Sequence, residues 1–194
     1  MQKYKEKIVS PNNFASFFLA ILEEITTFAK NWDLTILKLN NKMSTHSEIT
    51  LPEEELASLE LRNKEDDSLS LAIVNTNLTN FEHKEFFAWE CVIWIAYDKD
   101  EKSGLPTTEG HEVLNEFFEQ LDIMLKEPAE HPNALFFVRI VGDGTAECVW
   151  MLNNPDIAEE KLNELIKSGE HPLEFEYQIE QDYNWENYSY FLNL

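Results

Sequence analysis

The stretch Leu135-Phe136-Phe137-Val138-Arg139-Ile140-Val141-Gly142-Asp143-Gly144, continued by Ala146 through Leu152, decides how the chain folds. Two runs of β-branched and aromatic residues flank a Gly-Asp-Gly turn, which is the composition of a β-hairpin. On the N-terminal side, Pro128 and Pro132 close a pattern in which Val113, Leu114, Phe117, Phe118, Leu121, Met124 and Leu125 recur at helical spacing. Thr107 or Thr108 supplies its cap. On the C-terminal side, Asn154-Pro155 opens a second helix carrying Ile157, Leu162, Leu165 and Ile166, and Gly169 ends it.

Two further strands complete the frame. Trp89 through Tyr97 is apolar enough for a central strand, while Leu173, Phe175, Tyr177 and Ile179 alternate with acids and glutamine as a half-buried strand does. The order over residues 88–180 is therefore β-α-β-β-α-β, the split βαβ arrangement of a ferredoxin-like domain of the α+β class. Ahead of it the spacing predicts an amphipathic helix over 12–30, a strand at Leu34–Leu39 and another at Leu69–Val74. Pro52-Glu53-Glu54-Glu55-Leu56 either begins a short helix or leads as a loop into a strand through Ser58-Leu59-Glu60-Leu61. Lacking a Gly/Ser- or Pro-rich linker, residues 1–87 read as a helix and strand elaboration on a ferredoxin-like domain at 88–194.

The 194 residues are 43% hydrophobic and 12% aromatic, so a core forms without disulfides or metal. Against 37 acidic side chains stand 15 basic ones, a formal net charge of −22. Such a field repels nucleic-acid phosphates and anionic membrane surfaces and accelerates encounter with a cationic protein. A basic protein partner is the expectation, with nucleic acid and membrane excluded. Cys91 and Cys148 each sit inside an apolar run and read as reduced core thiols. With neither a leader nor an apolar span in view, the expected location is cytoplasmic.

The sequence supplies little material for catalysis. None of the five histidines pairs with another at i,i+4, and neither cysteine has a second ligand at metal-motif spacing. Only five glycines are present, and no nucleophile elbow or phosphate-cradling loop occurs. No catalytic residue, metal ligand or cofactor is assigned, and a non-enzyme is favoured over an enzyme. Two candidate sites remain. Glu109, Glu112, Glu116, Glu119 and Asp122 line one side of the first helix and form a partner-binding face. Asp182, Trp185 and Tyr188 could converge on a ligand pocket; the competing reading buries both rings against the sheet and uses Asp182 as a cap. A homodimer built through edge strands stays open as a further reading.

Several motifs occur in a recognisable order. Tyr97 is followed by Gly104-Leu105-Pro106-Thr107, an acidic leucine-bearing helix, Arg139-Ile140-Val141-Gly142-Asp143-Gly144 and a terminal Asp182, Trp185, Tyr188 and Phe191. Together they resemble the bacterial domain-of-unknown-function family 695 over roughly residues 88–192. The ending is similar to that of the related regulator of ribonuclease E activity B. Gly110-His111 and Trp150 depart from the family pattern. The resemblance implies no catalytic residues; the ribonuclease regulator implies an acidic protein that binds and inhibits an RNA-processing enzyme.

Overall fold

The chain is described here by a computed structural model over residues 49–64 and 67–193, so the expected helix at 12–30 and the strand at Leu34–Leu39 lie outside the described residues. In order, the elements are β1 (Leu56–Arg62), β2 (Leu69–Asn75), β3 (Trp89–Ala96), α1 (Thr108–Lys126), β4 (Ala134–Gly142), β5 (Thr145–Leu152), α2 (Pro155–Ser168) and β6 (Phe175–Gln181). The strands form one six-stranded sheet in the order β1-β2-β4-β5-β3-β6, and every neighbouring pair is antiparallel. The class is α+β.

The two strands ahead of residue 88 belong to this same sheet, because Leu71 to Val74 of β2 pair with Val138 to Val141 of β4. The open reading at 52–56 resolves as a loop leading into a strand. The Asn75 Oδ1 accepts from Glu55 N at 3.3 Å and Asn77 Nδ2 donates to Glu53 O at 2.8 Å, fixing the segment as it enters β1.

Local chemistry accounts for the helix and hairpin ends. Thr107 accepts a hydrogen bond from Gly110 N at 3.1 Å, satisfying one of the first-turn amides of α1. Asn154 does the same for Asp156 N at 3.0 Å, Pro155 occupies the first turn of α2, and Gly169 closes that helix at φ +66°. In the β4–β5 hairpin Asp143 and Gly144 both take positive φ, +48° and +82°, which is the two-residue turn whose twist matches the flanking strands. Gly142 is required for another reason. A Cβ there would fall 2.1 Å from Ser70 Oγ, so β2 approaches β4 only because this position carries no side chain.

Both faces of the sheet are covered. On one, Leu114, Phe117, Leu121 and Leu125 of α1 and Ala158 and Leu162 of α2 bury against Cys91, Ile93, Ile95, Phe136, Cys148 and Trp150. Each leucine or phenylalanine so buried contributes about 1.5–3 kcal/mol. A bulge in β4 between Phe136 and Val138 breaks the strict alternation. Phe136 meets Phe118 and Trp150 under α1 and Phe137 meets Trp185 and Tyr188 on the other face, and the bulge lets Val138, in register with Val149, follow Phe137 on that face. That other face is roofed by the 3-10 turns Thr76–Asn80 and Lys84–Phe87 and by the C-terminal tail, which bury Leu78, Phe87, Trp185, Phe191 and Leu192.

Candidate functional site

The carboxylates of α1 divide into two groups. Glu109, Glu112, Glu116 and Glu119 are exposed, and none forms an ion pair within 4 Å among the described residues. Asp122 turns inward instead. Its Oδ1 accepts from the indole of the fully buried Trp150 at 2.8 Å, and its Oδ2 accepts from Lys126 Nζ at 2.7 Å. Lys126 also reaches Glu54, so this cation ties the end of α1 to the segment entering β1. Asp122 therefore anchors Trp150 and the last turn of α1, and the free face consists of the four glutamates. The i, i+3, i+4 spacing located the face, but it could not show that Asp122, one turn on, lies opposite the single donor of a buried indole.

Asp182, Trp185 and Tyr188 do not converge on one pocket. Asp182 spends both oxygens on the backbone, Oδ1 accepting from Glu186 N at 3.0 Å and Oδ2 from Asn187 N at 3.1 Å. The tail makes a tight turn here in which Trp185 adopts φ +58°, and a 3-10 turn follows at Ser189–Asn193. The Trp185 ring stacks on Phe81 with centroids 5.9 Å apart, and its indole donates to Phe87 O at 2.8 Å. These two residues hold the tail against the sheet. Tyr188 alone of the three borders open space.

That space is a groove of about 320 Å³ lined by Glu90, Val92, Trp94, Gln178, Glu180, Asn187 and Tyr188. Its floor follows from strand alternation, which places Glu90, Val92 and Trp94 of β3 on one face. Register brings Gln178 opposite Val92, Glu180 opposite Glu90, and Glu147 of β5 opposite Trp94. Two carboxylates directly opposed across a strand pair repel each other, so Glu90 and Glu180 cost the sheet stability. Glu147 organises the aromatic side of the groove. Tyr188 donates its hydroxyl to Glu147 Oε1 at 2.6 Å and Trp94 Nε1 donates to Glu147 Oε2 at 3.0 Å.

Glu90 is the unusual member. Only 6% of the residue is exposed, Oε1 accepts from Asn187 Nδ2 at 3.1 Å, and Oε2 has no hydrogen-bond partner. Burial raises its pKa above the usual carboxylate range, and the charges of Asp182, Glu180 and Glu147 push the same way against the Asn187 hydrogen bond. Burial and the Glu147 carboxylate likewise hold the Tyr188 hydroxyl protonated well above the ordinary phenol range. The chemistry available is that of a half-open acidic groove with aromatic walls. Sequence reasoning missed Glu90, Trp94, Glu147 and Glu180, although a glutamate inside the apolar run of β3, two strand repeats from a tryptophan on the same face, was a visible signal.

Among the described residues, no group of three or more His, Cys, Asp or Glu side chains is placed to hold a metal ion. His111 instead faces Asn115 Nδ2 at 3.0 Å on α1. No described helix is long and apolar enough to cross a membrane. Compared with known proteins, residues 59–193 match the model of a family of unknown function, DUF695. No curated protein and no solved structure matches the chain.

Proposed function

The chain belongs to the family of unknown function DUF695, and since that membership supplies no reaction to inherit, we propose from its surface that it is a non-catalytic acidic module that binds a basic protein. The observation that carries this reading is the row Glu109, Glu112, Glu116 and Glu119 on α1, exposed and without ion-pair partners among the described residues. Exposed carboxylates of α2, Glu159, Glu160 and Glu164, continue the same sign of charge. The formal net charge of −22 attracts a cationic partner at long range, and the α1 row is where it is held.

The scaffold in this proposal is ferredoxin-like over residues 88–181. The strand order β4-β5-β3-β6 with α1 and α2 as the two crossovers supports it. The resemblance of the tail, with Asp182, Trp185, Tyr188 and Phe191, to the ending of the regulator of ribonuclease E activity B is what suggests an RNA-processing enzyme as the class of partner, with a toxin neutralised by its immunity protein as the related case. A reduced, cytoplasmic setting agrees with two buried free thiols. Self-association through β6 is disfavoured, because Glu176 and Glu180 along that edge strand and Glu174 just ahead of it are exposed and repel a second copy.

The test is affinity capture from the native extract with three baits: the wild-type chain, E112K/E116K/E119K, and E159K/E160K/E164K as a charge-matched control. The proposal expects a basic protein held at low salt, released at several-fold higher salt, and lost from the α1 variant alone. The same protein held equally by all three baits would contradict it.

A further inference from the structure

Glu90 and Glu180, set opposite each other in register, share a groove with Trp94 and Tyr188, and no Lys, Arg or His forms an ion pair with Glu90, Glu147, Glu180 or Asp182 among the described residues. Acidic clusters on surfaces are ordinary, but this one is built inward. Glu90 in the lining is only 6% exposed, and its Oε2 lacks a partner. A buried carboxylate oxygen left unsatisfied keeps its full desolvation penalty. The missing partner is a hydrogen-bond donor, and the surrounding charge specifies a positive one.

The walls narrow the choice further. Trp94 and Tyr188 are held by their hydrogen bonds to the two oxygens of Glu147, so both rings keep a fixed orientation at the groove. Aromatic rings beside carboxylates attract organic cations through the ring quadrupole. Val92 and the apolar ring surfaces match a short hydrocarbon stem better than a hydrated metal ion, which would need more oxygen ligands in a rigid arrangement. The volume, about 320 Å³, lies at the small end of ligand sites, which run roughly 300–1,000 Å³.

We infer that the groove of Glu90, Trp94, Glu180 and Tyr188 binds an organic ammonium or guanidinium cation on a short aliphatic stem. Oε2 is closed to solvent in the free chain, so the Glu90 carboxylate turns toward the groove to accept from the head group, which Glu90 and Glu180 neutralise while the stem lies along Val92 between the rings. Glu147 and Asn187 are positioning residues. The site lies on the opposite face of the sheet from α1, so it stands or falls separately from the α1 contact with a basic protein. Its chemistry admits two sources, a free small amine or the side chain of a lysine or arginine.

The experiment is an NMR titration of the ¹⁵N-labelled full chain, following the Trp94 indole N–H, assigned by its loss in W94F. The probes are 1,4-diaminobutane, Nα-acetyl-lysine amide and Nα-acetyl-arginine amide, with sodium chloride at matched ionic strength. The expected result is a saturable shift of the Trp94 signal with at least one probe, with the Trp150 and Trp185 indoles unmoved. Binding should weaken at least tenfold in E90Q and several-fold in E180Q, whose side chain is exposed and leaves the fold intact. A stronger response to the diamine assigns a free cation, and one to the amides assigns a side chain. A shift reproduced by sodium chloride, or saturable binding unchanged in both variants, would overturn the inference. E112K/E116K/E119K should titrate like the wild type, which keeps this result distinct from the fate of the α1 face.

Discussion

Tyr188, in the C-terminal tail, donates its hydroxyl to Glu147 Oε1 of β5 at 2.6 Å, which fastens the tail to the sheet at the rim of the acidic groove. A charge-assisted bond of this kind, partly shielded from water, contributes about 1.5–3 kcal/mol. Y188F should lower the unfolding free energy by an amount in that range, read as a lower urea midpoint at an unchanged denaturant slope. Because the hydroxyl's pKa is raised in the folded state, its contribution is complete below the phenol value of the unfolded chain, ~10, and declines as pH rises beyond it. The gap between wild type and Y188F should therefore narrow above that pH. A gap that widened there would show that the folded state favours the phenolate.

Glu90 gives a prediction at the acid end. With a folded pKa raised chiefly by burial, the protein binds this proton more tightly than the unfolded chain does. Its stability contribution is then full below the unfolded value, ~4.3, and is withdrawn as pH climbs through the raised folded value. Glutamine holds the site neutral and can still accept from Asn187. E90Q should be more stable than wild type at pH 8 and close to it at pH 4, as read by chemical denaturation at both. A loss of stability at pH 8 would mean that the charged carboxylate is satisfied in the free protein.

Gly142 and Ser70 form a testable steric pair, since an added Cβ would approach Ser70 Oγ to 2.1 Å and Ser70 Cβ to 2.8 Å. G142A should cost about 1–3 kcal/mol through overpacking between β2 and β4. S70G removes both contacted atoms, so S70G/G142A should recover a good part of that loss relative to S70G alone. Thermal or urea unfolding of the four proteins closes the cycle. Simple additivity would locate the cost elsewhere.

The two thiols should behave alike. Burial pushes Cys91 and Cys148 up to about 12, leaving almost no thiolate near neutral pH. Neither should react with a disulfide reagent in the native chain over hours, and both should react at once in denaturant. Rapid native modification of either would require the sheet to open at β3 or β5.

What the sequence could reveal tracks how local each signal is. The hairpin at Gly142-Asp143-Gly144, the caps Thr107 and Asn154 and the stop at Gly169 are written in adjacent residues, and α1, β4, β5 and α2 follow from them. The acidic row of α1 was legible for the same reason, because helical spacing fixes a face. Asp122 was misplaced with the solvent face since its partner, Trp150, lies in another element. A pattern of aromatics at 185, 188 and 191 fits a helix, yet Trp185 at positive φ and the two amides taken by Asp182 make a tight turn whose reason is the Phe81 and Phe87 surface beneath it. The groove required knowledge of register, because nothing in the sequence alone sets Glu180 opposite Glu90 or Glu147 opposite Trp94.

The central claim is that the glutamate row of α1 steers and holds a basic protein, and the most direct measurement is the association rate of the captured partner across a range of ionic strengths. With the wild-type chain the rate should fall steeply as salt rises, and at low salt E112K/E116K/E119K should slow association about tenfold or more while changing dissociation much less. An association rate indifferent to salt and to reversal of these three charges would contradict the account.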